Sequence, residues 1–541
     1  MSAPGVHLVS ITRRVLLGLA MLGGVLLLSA DRADAHPERK TTFPTVEIAV
    51  PEYRTRGGDE LIACQPESER WIRERVHGAA RGRSISLLAR CEFDSIQDAV
   101  DAATSHDRIL IVPGRYEEPE SRATSETAEC AALYTTTTHG DARKEAPEKY
   151  RVATYEYQRR CPNARNLVSV VDDPDGDGAC DRCFLQIEGT GDDPEDVIIE
   201  GSRESDAKYD IVHVDRAHGV YLGNFTVQFA KFNGVNVIET SGFRIEDVVA
   251  RYNENYGVLT FTTDNGLYNR VVTYNNGHAG LYPGSTADSH TLDGDCGPPS
   301  IEMREVESYG NTYGYSGTGA NAVWVHKSRF HHNATGLSTD SVASAHPGMP
   351  QDCARFEGNE FFSNNLNVFD DAHDVECSKP WSDRDPYIAC PYWAAPVGTG
   401  IQIAGGNDNV IRDNLIYDNH RSGVRLFWLP APLRLELDPR NLRDTSNGNK
   451  FVGNVMGLSP TGAVLPNGED FWWDEEGDGN CWASNRGPGP ITSDPVTLPS
   501  CDDPPASGTG DPGKILGQAS CALFDPRVLT EPPGCYWLTT P

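Results

Sequence analysis

Several stretches of the chain carry residue types at spacings that chemistry can use. In Asp173-Pro174-Asp175-Gly176-Asp177-Gly178-Ala179-Cys180-Asp181, carboxylates fall at relative positions 1, 3, 5 and 9, with glycine at 6 for the sharp turn. That pattern gathers oxygen ligands around a hard cation, so Asp173, Asp175, Asp177 and Asp181 are candidate calcium ligands in a structural role. Phe184 stands at position 12, where a bidentate glutamate would complete the shell, and the competing reading is a solvated acidic turn. Cys180 and Cys183 form a lone C-x-x-C, a spacing that in an exported chain predicts disulfide bonding before zinc.

A second stretch, Asp370-Asp371-Ala372-His373-Asp374, sets acids beside an imidazole, the combination that moves a proton. Asp371, His373 and Asp374 are catalytic candidates, set against a plain polar insertion closed by Cys377 and Cys390. Arg421 and Arg425, in a later stretch, are candidates for neutralising an anionic group, although outward arginines are also ordinary surface residues. His326, His331 and His332 raise the question of a metal. In a strand, however, His331 and His332 point to opposite faces, so one shared ion needs a turn between them. Phe471-Trp472-Trp473 and Trp482 offer flat rings for stacking on sugars, or anchors for a loop.

The rest of the chain bounds these sites. With 47 basic against 78 acidic residues, the net charge of -31 makes nucleic acid a poor partner, and an acidic glycan requires locally clustered arginines or bridging calcium. Residues 1–35 read as an export signal: Arg13 and Arg14, an apolar run from Val15 to Ala30, then Ala33-Asp34-Ala35 as a cleavage site. The same residues fit a general or a twin-arginine route. The apolar run is short for a spanning helix and no second one follows, so a secreted, extracellular monomer without a membrane span is expected. All 14 cysteines lie beyond residue 35, and the nearest pairs, Cys377 with Cys390, Cys481 with Cys501 and Cys521 with Cys535, are the simplest disulfides.

In Asp94-Ser95-Ile96-Gln97 the spacing predicts a helix capped by Asp94, with Gln97 reaching back and Ile96, Ala99, Val100 and Ala103 on one face. The run Arg108 to Val112 then reads as a buried strand, closed by Pro113-Gly114. Together SIQDAVDAA and ILIVPGRYEE resemble the opening of right-handed parallel β-helix proteins of the pectin lyase-like superfamily, where the helix hides the open end of the stacked core. A repeat should follow. Gly234, Gly257, Gly280, Gly314, Gly336 and Gly423 are each followed by an apolar residue at intervals of 23, 23, 34, 22 and 87, and 22 or 23 residues suit one coil of three strands. Asn253, Asn276, Asn311, Asn333, Asn364 and Asn419 precede repeat marks and predict amide ladders at the turns. Within the longest interval, Asn364 to Val368 reads as a coil in which Asn367 replaces the glycine, and Gly400 to Ile403 as another. Asp247 interrupts the alternation of Ile245 and Val249.

The expected fold is therefore all-β, a right-handed parallel β-helix with an N-terminal capping helix and disulfide-rich loops. Its expected boundaries are a leader over 36–91, the solenoid over 92–460 with a Cys/Asp-rich insertion near 120–190, and a Pro/Gly/Cys-rich cap or wrap over 461–541. The acidic loop is similar to those of EF-hand and thrombospondin type 3 repeats. Asp371-Ala372-His373-Asp374 resembles the Asp-Pro-His-Asp motif of mannuronan C5-epimerases, without its proline, which implies Asp371 and His373 as a catalytic pair. Resemblance to pectate lyases implies that an arginine such as Arg421 or Arg425 removes a proton. The superfamily holds lyases, hydrolases, epimerases and noncatalytic surface proteins. The leading expectation is a secreted protein that binds an extracellular polysaccharide in a groove on one face, with or without processing it. The alternative is a noncatalytic scaffold stabilised by disulfides and calcium, and a third reading is uronate epimerase or lyase chemistry.

Overall fold

The computed structural model describes residues 41–117, 127–139, 148–161, 165–172, 180–203, 208–287, 295–342, 346–391, 395–429, 446–503, 510, 511, 513, 514 and 517. Strands stack in parallel into a right-handed β-helix whose coils each supply three short strands, one to each of three sheets. On the third sheet, Val235, Val258, Leu281, Tyr315, Leu337, Ile401, Val424 and Phe471 stack in register and all point into the core. The first sheet runs from Glu60–Ala63 through Arg108–Ile111 to Cys481–Ala483. The second runs from Gly114–Tyr116 to Val455–Met456.

The ladder exceeds both expected boundaries. Glu60–Ala63 of the leader pairs with Arg108–Ile111, and two helices, Ser68–Arg75 and Gly78–Leu88, follow it. At the far end Phe471–Trp473, Cys481–Ala483 and Ser493–Asp494 continue the sheets beyond residue 460. None of these strands carries the glycine-then-apolar mark, and Glu60–Ala63 and Ser493–Asp494 each pair with a strand on one side only. The capping helix is Ile96–Ala102, and its N-cap is Ser95 rather than Asp94: the Ser95 hydroxyl accepts from the Gln97 and Asp98 amides. Gln97 does not reach back. Its side chain accepts from the Ser169 amide at 2.6 Å and donates to the Ser169 carbonyl at 3.1 Å, pairing the helix to the strand Val168–Val171 as a further strand would.

The asparagine ladder forms as the repeat predicts. Each amide donates to the next carbonyl oxygen from Asn253 through Asn276, Asn311, Asn333, Asn364 and Asn419 to Asn467, at 2.9–3.2 Å. The same ladder explains the glycines: a Cβ on Gly257 would stand 2.6 Å from the Gly280 carbonyl oxygen and 3.0 Å from the Asn276 amide. Two more ladders stand at the other corners, Asn359-Asn414-Asn454-Asn485 and Asn409-Asn449-Asn480.

Two register expectations are corrected. Asp247 is a corner residue, not a flaw in a wall: its φ is +51°, as are the left-handed angles of Asn224, Arg270 and Lys327 (+55°, +53°, +51°) stacked around it. The alternation restarts there, with Ile245, Val248 and Ala250 inward. Leu366 to Val368 is no coil either. Thr335–Asp340 pairs directly with Thr399–Ala404, so the chain leaves the ladder after Asn364 and rejoins it near Gly398. The intervening insertion lays Leu366, Val368, Phe369, Ala395 and Val397 over Ile238, Leu259, Phe261 and Tyr282 on the outer face of the third sheet. Disulfides join Cys377 to Cys390 and Cys481 to Cys501 as the spacing suggests, and also Cys64 to Cys91, Cys130 to Cys161, Cys180 to Cys183 and Cys296 to Cys353. Cys521, Cys535 and residues 1–35 lie outside the described residues.

Candidate functional site

Past the insertion, the outer face of the third sheet becomes polar. In the strand Ser422–Phe427, Val424 and Leu426 enter the core, which turns Arg425 outward between Gln402 and Trp472 in register. Its guanidinium lies 4.5 Å from the centroid of the Trp472 ring. Gln402 donates to the Ser338 hydroxyl at 3.1 Å, and Asp494, opposite Trp472, receives Lys514 at 2.7 Å. Lys514 also stands 5.5 Å from the Trp472 ring. One column of the sheet therefore aligns Ser338 and Arg425, both buried, with the part-exposed Gln402, Trp472 and Asp494.

Glu469 stands just ahead of the strand Phe471–Trp473. Burial and the nearby Asp494 carboxylate push its carboxyl up to about 7, against the opposing pull of Arg425, Lys514 and Arg421. Burial, with Arg421 adding to it, moves the Arg425 guanidinium down to about 9, and Glu469 partly offsets this. At neutral pH Arg425 is still a cation. Glu469 is poised to give or take a proton, beside a cation able to hold a carboxylate and an aromatic ring. Arg421 is half-buried at the edge of the cluster, its Nε donating to the Val397 carbonyl at the end of the insertion.

The other catalytic candidates lie on the insertion itself. Asp371, His373 and Asp374 fall in the helix Asp371–Cys377, capped by Asp370, which accepts from the His373 amide at 2.9 Å and meets His373 Nδ1 at 2.7 Å. The imidazole is thus engaged by Asp370, while Asp371 and Asp374 are exposed. Arg421 and Arg425 are brought together; the helix residues form a separate group. Of the tail aromatics, Phe471, Trp473 and Trp482 point inward and close the core, Trp482 lying 4.8 Å from Phe451, and Trp472 alone of these is outward.

Asp173, Asp175 and Asp177 lie outside the described residues, and Asp181 is exposed in the turn closed by Cys180 and Cys183. Asp172 approaches both sulfurs, but these are bonded to each other and offer no thiolate to a metal. His326 faces out from the first sheet, bonded to Glu302 at 2.9 Å and stacked on Trp324, apart from His331 and His332 on the second. On the first sheet a cleft of about 320 Å³ is edged by Arg355, Arg412 and Lys450 with Asp295, Glu357 and Asp408.

Glu469 escaped the sequence reading because its neighbours Arg425, Asp494 and Lys514 are 25 to 45 positions away and meet only through coil register. At the N-terminal end of the same sheet, His213 bonds Asp210 at 2.9 Å and lies 3.9 Å from Asp215, all three buried. Asn233 and Asn236 also donate to Asp210, at 2.8 and 3.0 Å.

No family model matches the chain, and no curated protein does. Among solved structures it is similar to the A-modules of two mannuronan C-5 epimerases of Azotobacter vinelandii. AlgE6 is 14% identical over 73% of this chain and 94% of that one, with a TM-score of 0.38. AlgE4 is 13% identical over 74% and 91%, with a TM-score of 0.41. Pectate lyase Pel9A is 13% identical over 81% and 79%, with a TM-score of 0.31. The fold itself rests on the chain's own strand register: this is a right-handed parallel β-helix.

Proposed function

We propose that the exported chain binds an acidic extracellular polysaccharide along the polar column of the third sheet and processes it at Glu469 and Arg425. The observation that supports this reading most is the Arg425 guanidinium set over the Trp472 ring, with a carboxyl of near-neutral pKa in the same field. Trp472 and Gln402 bind sugar, Arg425 holds a uronate carboxylate, and Glu469 exchanges a proton at the adjoining carbon. That chemistry belongs to uronate lyases and epimerases alike.

The test incubates the purified protein, with calcium, on neutral and uronic-acid polysaccharides while following unsaturated products, reducing ends, C5 proton exchange and retention. Glu469→Gln and Arg425→Lys should each lower turnover by about 100-fold, within the usual range for a proton-transfer group. Trp472→Ala should weaken retention. Full activity in Glu469→Gln sinks the assignment, and loss in His373→Ala moves the chemistry to the insertion helix. Retention without products indicates a binding module, and neither signal indicates the noncatalytic scaffold. Calcium, held by Asp173, Asp175, Asp177 and Asp181, is proposed as a structural ion. A chelator should then lower Tm, added calcium should restore it, and Asp175→Ala should abolish both responses; an unchanged Tm on chelation excludes the ion.

A further inference from the structure

His331 and His332 are neighbours in sequence, and in an extended strand their rings would part to opposite faces. The chain prevents this. Arg329–His331 is a strand, but His332 takes a left-handed φ of +53° at the corner that follows, a turn shared by Ser363 and Asp418 in later coils (+51° and +55°). The turn swings both rings to one side, where Nδ1 of His331 lies 2.8 Å from Nδ1 of His332 with the ring planes at 88°.

The pair is held from behind. His331 Nε2 lies 3.0 Å from Oε1 of Glu307 in the preceding coil, and its ring is clasped between Tyr309 and Phe362, with centroids at 5.3 and 4.7 Å. With Nε2 donating to a carboxylate, the lone pair of His331 rests on Nδ1, toward His332. This is how a metal-ligating histidine is usually oriented, by a carboxylate on its second nitrogen. His332 is exposed, so solvent reaches the pair. Arg329 shares Glu307, at 2.9 Å, and its charge counts against a cation here. Beyond Ser363 in the same corner, Asp418 accepts from the Ser363 hydroxyl at 2.5 Å and stands 3.2 Å from His420, adding negative charge.

The spacing selects the ion. Two nitrogens each about 2.0–2.1 Å from one metal stand about 2.9 Å apart at a right angle and about 3.4 Å apart at the tetrahedral angle. The 2.8 Å hydrogen-bond contact between the two nitrogens stands near the right-angle spacing, so opening the pair onto one ion asks less movement for the tetragonal preference of Cu²⁺ and Ni²⁺ than for the tetrahedral preference of Zn²⁺. We infer that His331 and His332 form a two-nitrogen chelate for a divalent transition cation of tetragonal preference, with Glu307 as the positioning residue behind it.

The test is Cu²⁺ titration of the calcium-saturated, untagged full chain, read by calorimetry and by electron paramagnetic resonance. The wild type should bind one equivalent whose spectrum shows splitting from two nitrogens. His332→Gln and His331→Gln should each remove that splitting and weaken this site at least tenfold. Glu307→Gln should weaken it about tenfold while the nitrogen pattern survives, as for other loosened carboxylate partners. His332 is exposed, so its variant keeps the fold, which a melting curve checks. A wild type that shows no two-nitrogen spectrum, or a spectrum unchanged in His332→Gln, overturns the site and leaves the pair sharing a proton.

Discussion

His213 carries a pH dependence that can be worked out by sign. Burial pulls its pKa down, but its bonds to Asp210 and Asp215 outweigh this and push it up to about 9, from an ordinary 6.5. A base raised in the folded state adds stability that is complete below about pH 6.5 and is lost as pH rises through about 9. Glu469 and Asp474, carboxyls raised by burial to about 7, add stability of the same sign in a lower window, lost as pH rises from about 4.5 and 3.8 to about 7. Urea midpoints measured across these windows should fall with pH, and His213→Gln should flatten the upper limb alone. An upper limb unchanged in that variant would mean His213 is neutral. The chemistry of single residues was only partly legible. Arg421 and Arg425 were visible as cations, but a sequence does not say that Arg425 is 4% exposed or that Glu469 has been desolvated beside it.

At the scale of the element, the coil corners hold the molecule together through saturated amides. Asn333 donates to the Ser308 carbonyl at 3.0 Å and to Asn364 at 3.1 Å, and accepts from the Asn311 backbone at 3.0 Å and side chain at 3.2 Å. Asn333→Ala leaves the Asn311 amide buried without that partner and should cost about 1–3 kcal/mol by chemical denaturation. The Asn253 to Asn419 ladder was readable because its members stand three or four residues ahead of the repeat marks. The two other ladders and the aromatic column Tyr274-Tyr309-His331-Phe362-Tyr417 were not, since loops of unequal length shift their spacing. In that column adjacent centroids are 4.7–5.3 Å apart with planes within 20°, so the rings use their faces on one another and show edges outward. A sugar has no ring face to lie on there, which separates it from the outward Trp472. The helix Asp371–Cys377 was read as part of a polar insertion closed by Cys377 and Cys390, and the disulfide is present. The apolar flanks that seat it on the sheet were instead counted as a coil, because Leu366 and Val368 alternate as a strand would.

For the whole molecule, repetition made the fold legible and the ends obscure. Glycine and asparagine recur only where a coil has neighbours above and below, so Glu60–Ala63 and Ser493–Asp494 carry no such mark and their places came from pairing alone. Opening the disulfide with Cys377→Ser and Cys390→Ser together should raise hydrogen exchange across residues 366–397 while the core strands stay protected, since the insertion packs outside the ladder. Equal exchange in both would mean that the insertion is part of the folding core. A stack in which each coil touches only its neighbours also has a mechanical meaning. Pulled along its axis from the two ends, such a molecule yields one layer at a time, and a 23-residue repeat released to full extension lengthens the chain by about 75–85 Å. The asparagine chain crosses every boundary from Asn253 to Asn467, so each release breaks one amide link of the ladder, and the force record should read as a row of similar teeth. The teeth would be missing between Cys296 and Cys353, whose bridge ties off 57 residues with the Asn311–Asn333 link inside, and neither that segment nor the one between Cys377 and Cys390 would add length until its bridge is reduced.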